Sequence, residues 1–208
     1  MKRDWFRNTT WNEAVEQSFD EKLRLAKKKE QYLRIQASLL ARSHPNVALM
    51  LLGRYFELHD DFGHAQAHAD RARALIGLGR VNDAIASYEA ALAREVEFPQ
   101  FRTQTYLDLP YLIATCGIRE QYDRALQVLQ SHEARLTFPA DDFRWHAARA
   151  LIAADSQEPG VARTHAEAAL DAANREDSGF RYHPSVGLVT EQYDDVILRL
   201  KAHLTASQ

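Results

Sequence analysis

Cysteine is nearly absent from this chain: Cys116 stands alone among 208 residues. A single cysteine excludes an intrachain disulfide and points to a reducing compartment. It ends the apolar run 111–116, where a small buried residue is the simple expectation, and no base lies nearby in sequence to make it a nucleophile. Long apolar runs are missing too, so nothing approaches the length of a membrane span. The opening residues 1–7 lack the apolar core of a signal peptide. The expectation is a cytoplasmic protein without a membrane contact. Neither sign of charge dominates: 26 Lys and Arg stand against 29 Asp and Glu, a formal charge of −3, which gives no reason to expect nucleic acid. Basic residues do gather at Lys22, Arg24, Lys27, Lys28, Lys29 and Arg34. Glu16, Asp20, Glu21 and Glu30 are interleaved with them, as on a solvated helix face. The chain also lacks a glycine-rich phosphate loop, a Gly-x-Ser-x-Gly elbow and a His-Glu-x-x-His pair, so no cofactor is expected.

What the chain does have is an internal repeat. Ala-Arg-Ala-Leu-Ile occurs at 72–76 and again at 148–152. The first copy is followed by Ala84, Tyr88, Ala91 and Leu92, the second by Ala162, Ala166, Ala169 and Leu170, at identical internal spacing. Such a pattern predicts stacked helical hairpins, each unable to bury its apolar face without a neighbour. The two copies lie 76 residues apart and their second helices 78, so the extra residues fall in a turn. A middle hairpin fits a period of 38–40.

Nearly every segment reads as helix. Trp11, Val15, Phe19 and Leu23 recur every fourth residue and form one apolar stripe, with Thr10 and Glu13 in a capping-box pattern at its start. Further helices are expected at 30–41, from Pro45 to about Leu58, at 64–78 and at 81–95. Beyond them, a middle hairpin turns at Gly117, and a last one pairs 141–154 with 160–174. After Asn174 comes the irregular stretch 178–187, then a final helix over 190–204 that would cap an open stack. The stretch 178–187 either folds onto the binding face or, more simply, anchors the last helix through Phe180 and Tyr182. The expectation is one all-α domain over 1–208: an N-terminal helix to residue 29, hairpins over 30–174, and a loop and capping helix from 175.

Ala72, Leu75, Gly79, Ala84, Tyr88 and Ala91-Leu92 resemble the signature of the tetratricopeptide repeat (TPR) family, with its closing proline displaced to Pro99. The last hairpin matches at Ala148, Leu151, Ala162 and Ala169-Leu170 but has Ala166 where the aromatic belongs. In the middle hairpin Pro110 falls on the small first-helix position, which predicts a kink or a late helix start. The layout as a whole resembles uncharacterised bacterial TPR-like proteins. The resemblance implies an antiparallel superhelix of about ten helices, whose first helices line a concave surface that binds a peptide or partner helix. It implies no enzymatic activity.

Aligned on the repeat, Arg73 and Arg149 are equivalent, at a position the resemblance turns inward. With Tyr111 and Trp145 they are the candidate binding residues, suited to a carboxylate beside an apolar side chain. The plainer expectation is that each arginine pairs with a neighbour such as Asp70 and solvates its helix. The lysine–asparagine clamp of chaperone-binding TPR proteins is not recognisable. Self-association through an exposed apolar edge is a second binding class. The alternative function is an all-helical metal-dependent phosphohydrolase of the HD type, using His59, Asp60, His64 and His68. His64 and His68 have the one-turn spacing for two imidazoles on one metal, but the later aspartate such a site needs does not stand out.

Overall fold

The computed structural model describes residues 4–58 and 62–206; among them are ten α-helices and no strand, as the hydrophobic patterning predicts. None of these helices is long and apolar enough to cross a membrane. The chain forms two compact units, with the division between Thr105 and Tyr106.

The first unit holds α1 (Glu13–Leu25), α2 (Lys29–Leu40), α3 (Pro45–Phe56), α4 (His64–Gly77) and α5 (Val81–Glu97). On α1 the fourfold stripe buries Phe19 and Leu23, and Trp11 meets the Phe19 ring edge-on at 5.5 Å. The cap is Asn12 rather than Thr10: its Oδ1 accepts from the Val15 amide at 3.0 Å, because the first helical residue is Glu13. The core joins Leu33, Ala37 and Leu40 of α2 to Ala48, Leu51, Leu52 and Tyr55 of α3, with Ala67 and Ala74 of α4 against them. Gln36 is fully buried among these groups and is satisfied by Asn8. Its Oε1 accepts from the Asn8 amide at 2.9 Å and its Nε2 donates to the Asn8 carbonyl at 2.7 Å, which ties the N-terminal segment to α2.

The repeat signature is the packing of α4 on α5. Ala72, Leu75, Ala84, Tyr88, Ala91 and Leu92 are all buried, and the alanines let the two helices approach closely. In the second unit Ala148, Leu151, Ala162, Ala166 and Ala169 are buried in the same way. That unit carries α6 (Thr105–Cys116), α7 (Tyr122–His132), α8 (Pro139–Asp155), α9 (Pro159–Ala173) and α10 (Asp194–Ala206). The Tyr106 ring near the start of α6 meets His132 at the end of α7, 5.7 Å between ring centres. α10 packs on α9 and α8 and buries Val196 and Leu200, as a capping helix should.

The three hairpins turn by one device. The Arg80 amide donates to the Leu75 carbonyl and Gly79 to Ile76, the paired bonds of a Schellman motif. Ile118 and Gly117 repeat it on Ile113 and Ala114, and Glu158 and Gln157 on Ala153 and Ala154. The pivot residues Gly79, Gly117 and Gln157 have φ of 71°, 67° and 61°, spaced by the repeat period. Glycine enters that region freely, whereas glutamine is strained there.

Three local expectations differ from the structure in whole or in part. Of the two effects expected of Pro110, a kink or a late start, the late start is not seen: α6 starts at Thr105 and runs through the proline. Cys116 is exposed, because it is the last residue of α6 beside the turn while Leu112 and Ile113 take the core positions. The loop 178–187 is anchored at the start of α8 rather than on α10. Phe180 packs on Phe138 at 5.2 Å, the Gly187 carbonyl accepts from Ala140 at 2.8 Å, and Tyr182 is 79% exposed.

Candidate functional site

The two arginines that the repeat makes equivalent keep different company. Arg73, on α4, donates to Asp70 Oδ1 at 2.7 Å one turn earlier on the same helix. The Asp70 oxygen also receives Gln66 Nε2 at 3.0 Å and, from α2, Ser38 Oγ at 3.1 Å. Arg34 Nη1 stands 3.8 Å from its other oxygen. Asp70 is fully buried, and that burial raises its carboxyl above the ordinary range against the pull of Arg73, Gln66, Arg34 and Ser38. Arg73 therefore holds an internal ion pair, as the plainer expectation for it had it.

Arg149, on α8, is half-buried and lies over the Trp145 ring, 4.6 Å from guanidinium carbon to ring centre. Its Nε donates to His165 Nε2 at 3.0 Å. The second nitrogen of His165 faces His146, with the two Nδ1 atoms 2.9 Å apart. Trp145 is 5% exposed and fixed by a 3.2 Å bond from its Nε1 to the Leu129 carbonyl of α7. Its ring meets His146 at 4.8 Å and His165 at 5.6 Å, both edge-on. Burial, then Arg149 and His146, lower the His165 pKa to about 4. Burial lowers His146 as well. Both rings are neutral near pH 7.

Tyr111 does not join this group. It meets Tyr193 edge-on at 5.9 Å and lies under the guanidinium of Arg144, which pairs with Asp108. Burial and Tyr193 push its phenol well above the ordinary range. Of the four candidate residues the structure thus brings Trp145 and Arg149 together, places Tyr111 with Tyr193 and Arg144, and leaves Arg73 with Asp70 in the first unit.

His146 and His165 are the partners that the sequence did not announce. They are 19 residues apart on facing helices, which no local spacing reveals. One signal was available: the 76-residue register that equates Arg73 with Arg149 also equates Asp70 with His146 and Gln66 with Asp142. The carboxylate beside the first arginine is an imidazole beside the second. Among the described residues no carboxylate pairs with Arg149.

Of the alternative metal set, His59 and Asp60 lie outside the described residues. His64 and His68 sit against the Phe56 ring at 5.7 and 4.7 Å. Burial, then His64, Arg71 and Arg94, lower the His68 pKa to about 4. Among the described residues no group of three or more His, Cys, Asp or Glu gathers as a metal site requires. No known protein family matches the chain, and neither does any curated protein or solved structure.

Proposed function

We propose that this protein is a non-enzymatic interaction module of the TPR type, acting in the cytoplasm, which takes a peptide or partner helix on the first helices of its hairpins. In the second unit the contact consists of Trp145 and Arg149 on α8. The observation that carries the reading is Arg149. A half-buried arginine is held in place by an indole and an imidazole, yet no carboxylate pairs with it among the described residues. Tryptophan and arginine are both enriched among the few residues that carry most of the energy of recognition surfaces. The shared small-residue positions of the α4–α5 and α8–α9 pairs support the TPR resemblance, and the exposed free Cys116 fits a reducing compartment.

The test is affinity capture with the wild type against the variant Arg149→Glu, alongside circular dichroism. The expected result is loss of capture at unchanged helical content. Undiminished capture would overturn this placement of the site.

A further inference from the structure

Arg34, on α2, makes no hydrogen bond among the described residues. Its side chain is 28% exposed, and its Nη1 stands 3.8 Å from Asp70 Oδ2, beyond hydrogen-bond reach. Asp70 Oδ2 is buried and receives no hydrogen bond either, so the guanidinium is held off the carboxylate nearest to it. Arg34 lines a cavity of about 390 Å³ whose walls lie wholly within the first unit. Arg102, in the segment between α5 and α6, lines the same cavity. The Pro99 carbonyl takes its Nε at 3.0 Å, and its Nη groups meet no acceptor among the described residues. The first turn of α4 adds Ala65 and Gln66 to the wall; no side chain caps this helix and no acid stands in its first turn. Their amides precede the first bond of the helix, which Ala67 makes to Gly63, so they face outward as donors. The remaining wall is aromatic, with the Phe62 and Phe101 ring centres 5.1 Å apart.

We propose that this cavity binds a small molecule that carries an oxyanion on a flat ring, the carboxylate or phosphate taken by Arg34 and Arg102 and the ring by Phe62 and Phe101. Arginine and an oxyanion form the stronger class of hydrogen bond, and the open first turn of α4 favours the same sign of charge. The volume is that of a small-molecule site, and the mix of an aromatic wall with a few polar groups is the usual lining of one. Two acids lie behind the wall, and neither lines the cavity. Asp70 is buried and engaged by Arg73, and Glu95 accepts from the Thr103 amide and hydroxyl at 2.8 and 2.6 Å. The cavity shares no residue with the Trp145–Arg149 contact, so it is a separate site and does not rest on the interaction-module reading.

The experiment is backbone-amide NMR titration of the full chain at neutral pH with benzoate, phenyl phosphate, neutral benzamide and acetate. Saturable shifts of the Ala65 and Gln66 amides are expected with benzoate or phenyl phosphate, and the tighter of the two tells carboxylate from phosphate. Benzamide, which lacks the charge, should bind at least about tenfold more weakly than benzoate. Acetate, which lacks the ring, should bind about fivefold more weakly or less well still. Arg34→Gln and Arg102→Gln should each weaken the preferred anion at least about tenfold at unchanged helical content. Arg102 is exposed, so its variant keeps the test intact if Arg34→Gln weakens folding. Arg149→Glu should bind the probes as the wild type does. No saturable shift with either aromatic anion, equal affinity for benzamide, or undiminished binding by a folded arginine variant of the cavity would overturn the inference. Loss of binding in Arg149→Glu would place the anion in the second unit and overturn it as well.

Discussion

Arg149 rests its guanidinium 4.6 Å from the centre of the Trp145 ring, and His165 takes its Nε, so the terminal nitrogens are left for something other than the helix. An arginine held in this way contributes little to folding, because a cation over an aromatic at a partly exposed site is worth about 0.5–1 kcal/mol. Arg149→Gln should therefore shift the stability of the chain by no more than about 1 kcal/mol in denaturant unfolding. A larger loss would make Arg149 a structural residue and remove the ground for assigning it to a ligand.

Asp70 is the contrasting case. Replacing it with alanine strips an acceptor from Ser38 and Gln66 and a counter-ion from Arg73, all at the α2–α4 contact. Buried polar groups left without partners cost about 1–3 kcal/mol. Asp70→Ala should lose that much in denaturant unfolding at neutral pH, measurably more than Arg149→Gln. The same register position thus carries a buried carboxylate in one hairpin and an imidazole in the other.

Gln157 occupies a left-handed conformation, φ 61°, where the earlier hairpins use glycine. The left-handed region costs an L-residue about 1–2 kcal/mol relative to glycine, part of which glycine returns through its freer unfolded chain. Gln157→Gly should raise stability by about 1 kcal/mol, seen as a higher denaturant midpoint at unchanged slope. No gain would mean that contacts of the Gln157 side chain offset the strain.

The buried imidazoles set a pH dependence with a definite sign. Burial, together with Arg149 and His146, holds His165 to a pKa of about 4, and burial, together with His64, Arg71 and Arg94, holds His68 to about 4. Unfolded histidine titrates near about 6.5. The unfolded chain then binds more protons between these values, so the contribution is whole above about pH 6.5 and is lost as pH falls toward about 4. Asp70, with its carboxyl raised, works in the opposite direction at the acid end. Thermal unfolding should show a lower midpoint at about pH 4.5 than at about pH 7.5. The variants His165→Gln and His68→Phe should each flatten that difference.

How much of this was legible in the sequence follows from the range of each interaction. The hairpins were, because the repeated alanines and large apolar residues are themselves the packed contacts. The Arg73–Asp70 pair was too, lying one turn apart on one helix. Three features were not. Gln157 as a pivot depends on two backbone bonds that any side chain permits. The exposure of Cys116 depends on where α6 stops rather than on the apolar run that contains it. The His146–His165 contact joins two helices, and only the pairing of α8 with α9 brings it about. The candidate site was thus half visible: Trp145 and Arg149 were singled out, while the imidazoles that orient them needed the fold.

The most direct test of the central claim is selection of a random peptide library on the immobilised full chain, with the Arg149→Glu variant in parallel. Enriched peptides should share a carboxylate next to an apolar side chain, and the variant, at unchanged helical content, should bind none of them. Enriched peptides without an acidic group, or acidic peptides held equally well by Arg149→Glu, would contradict it.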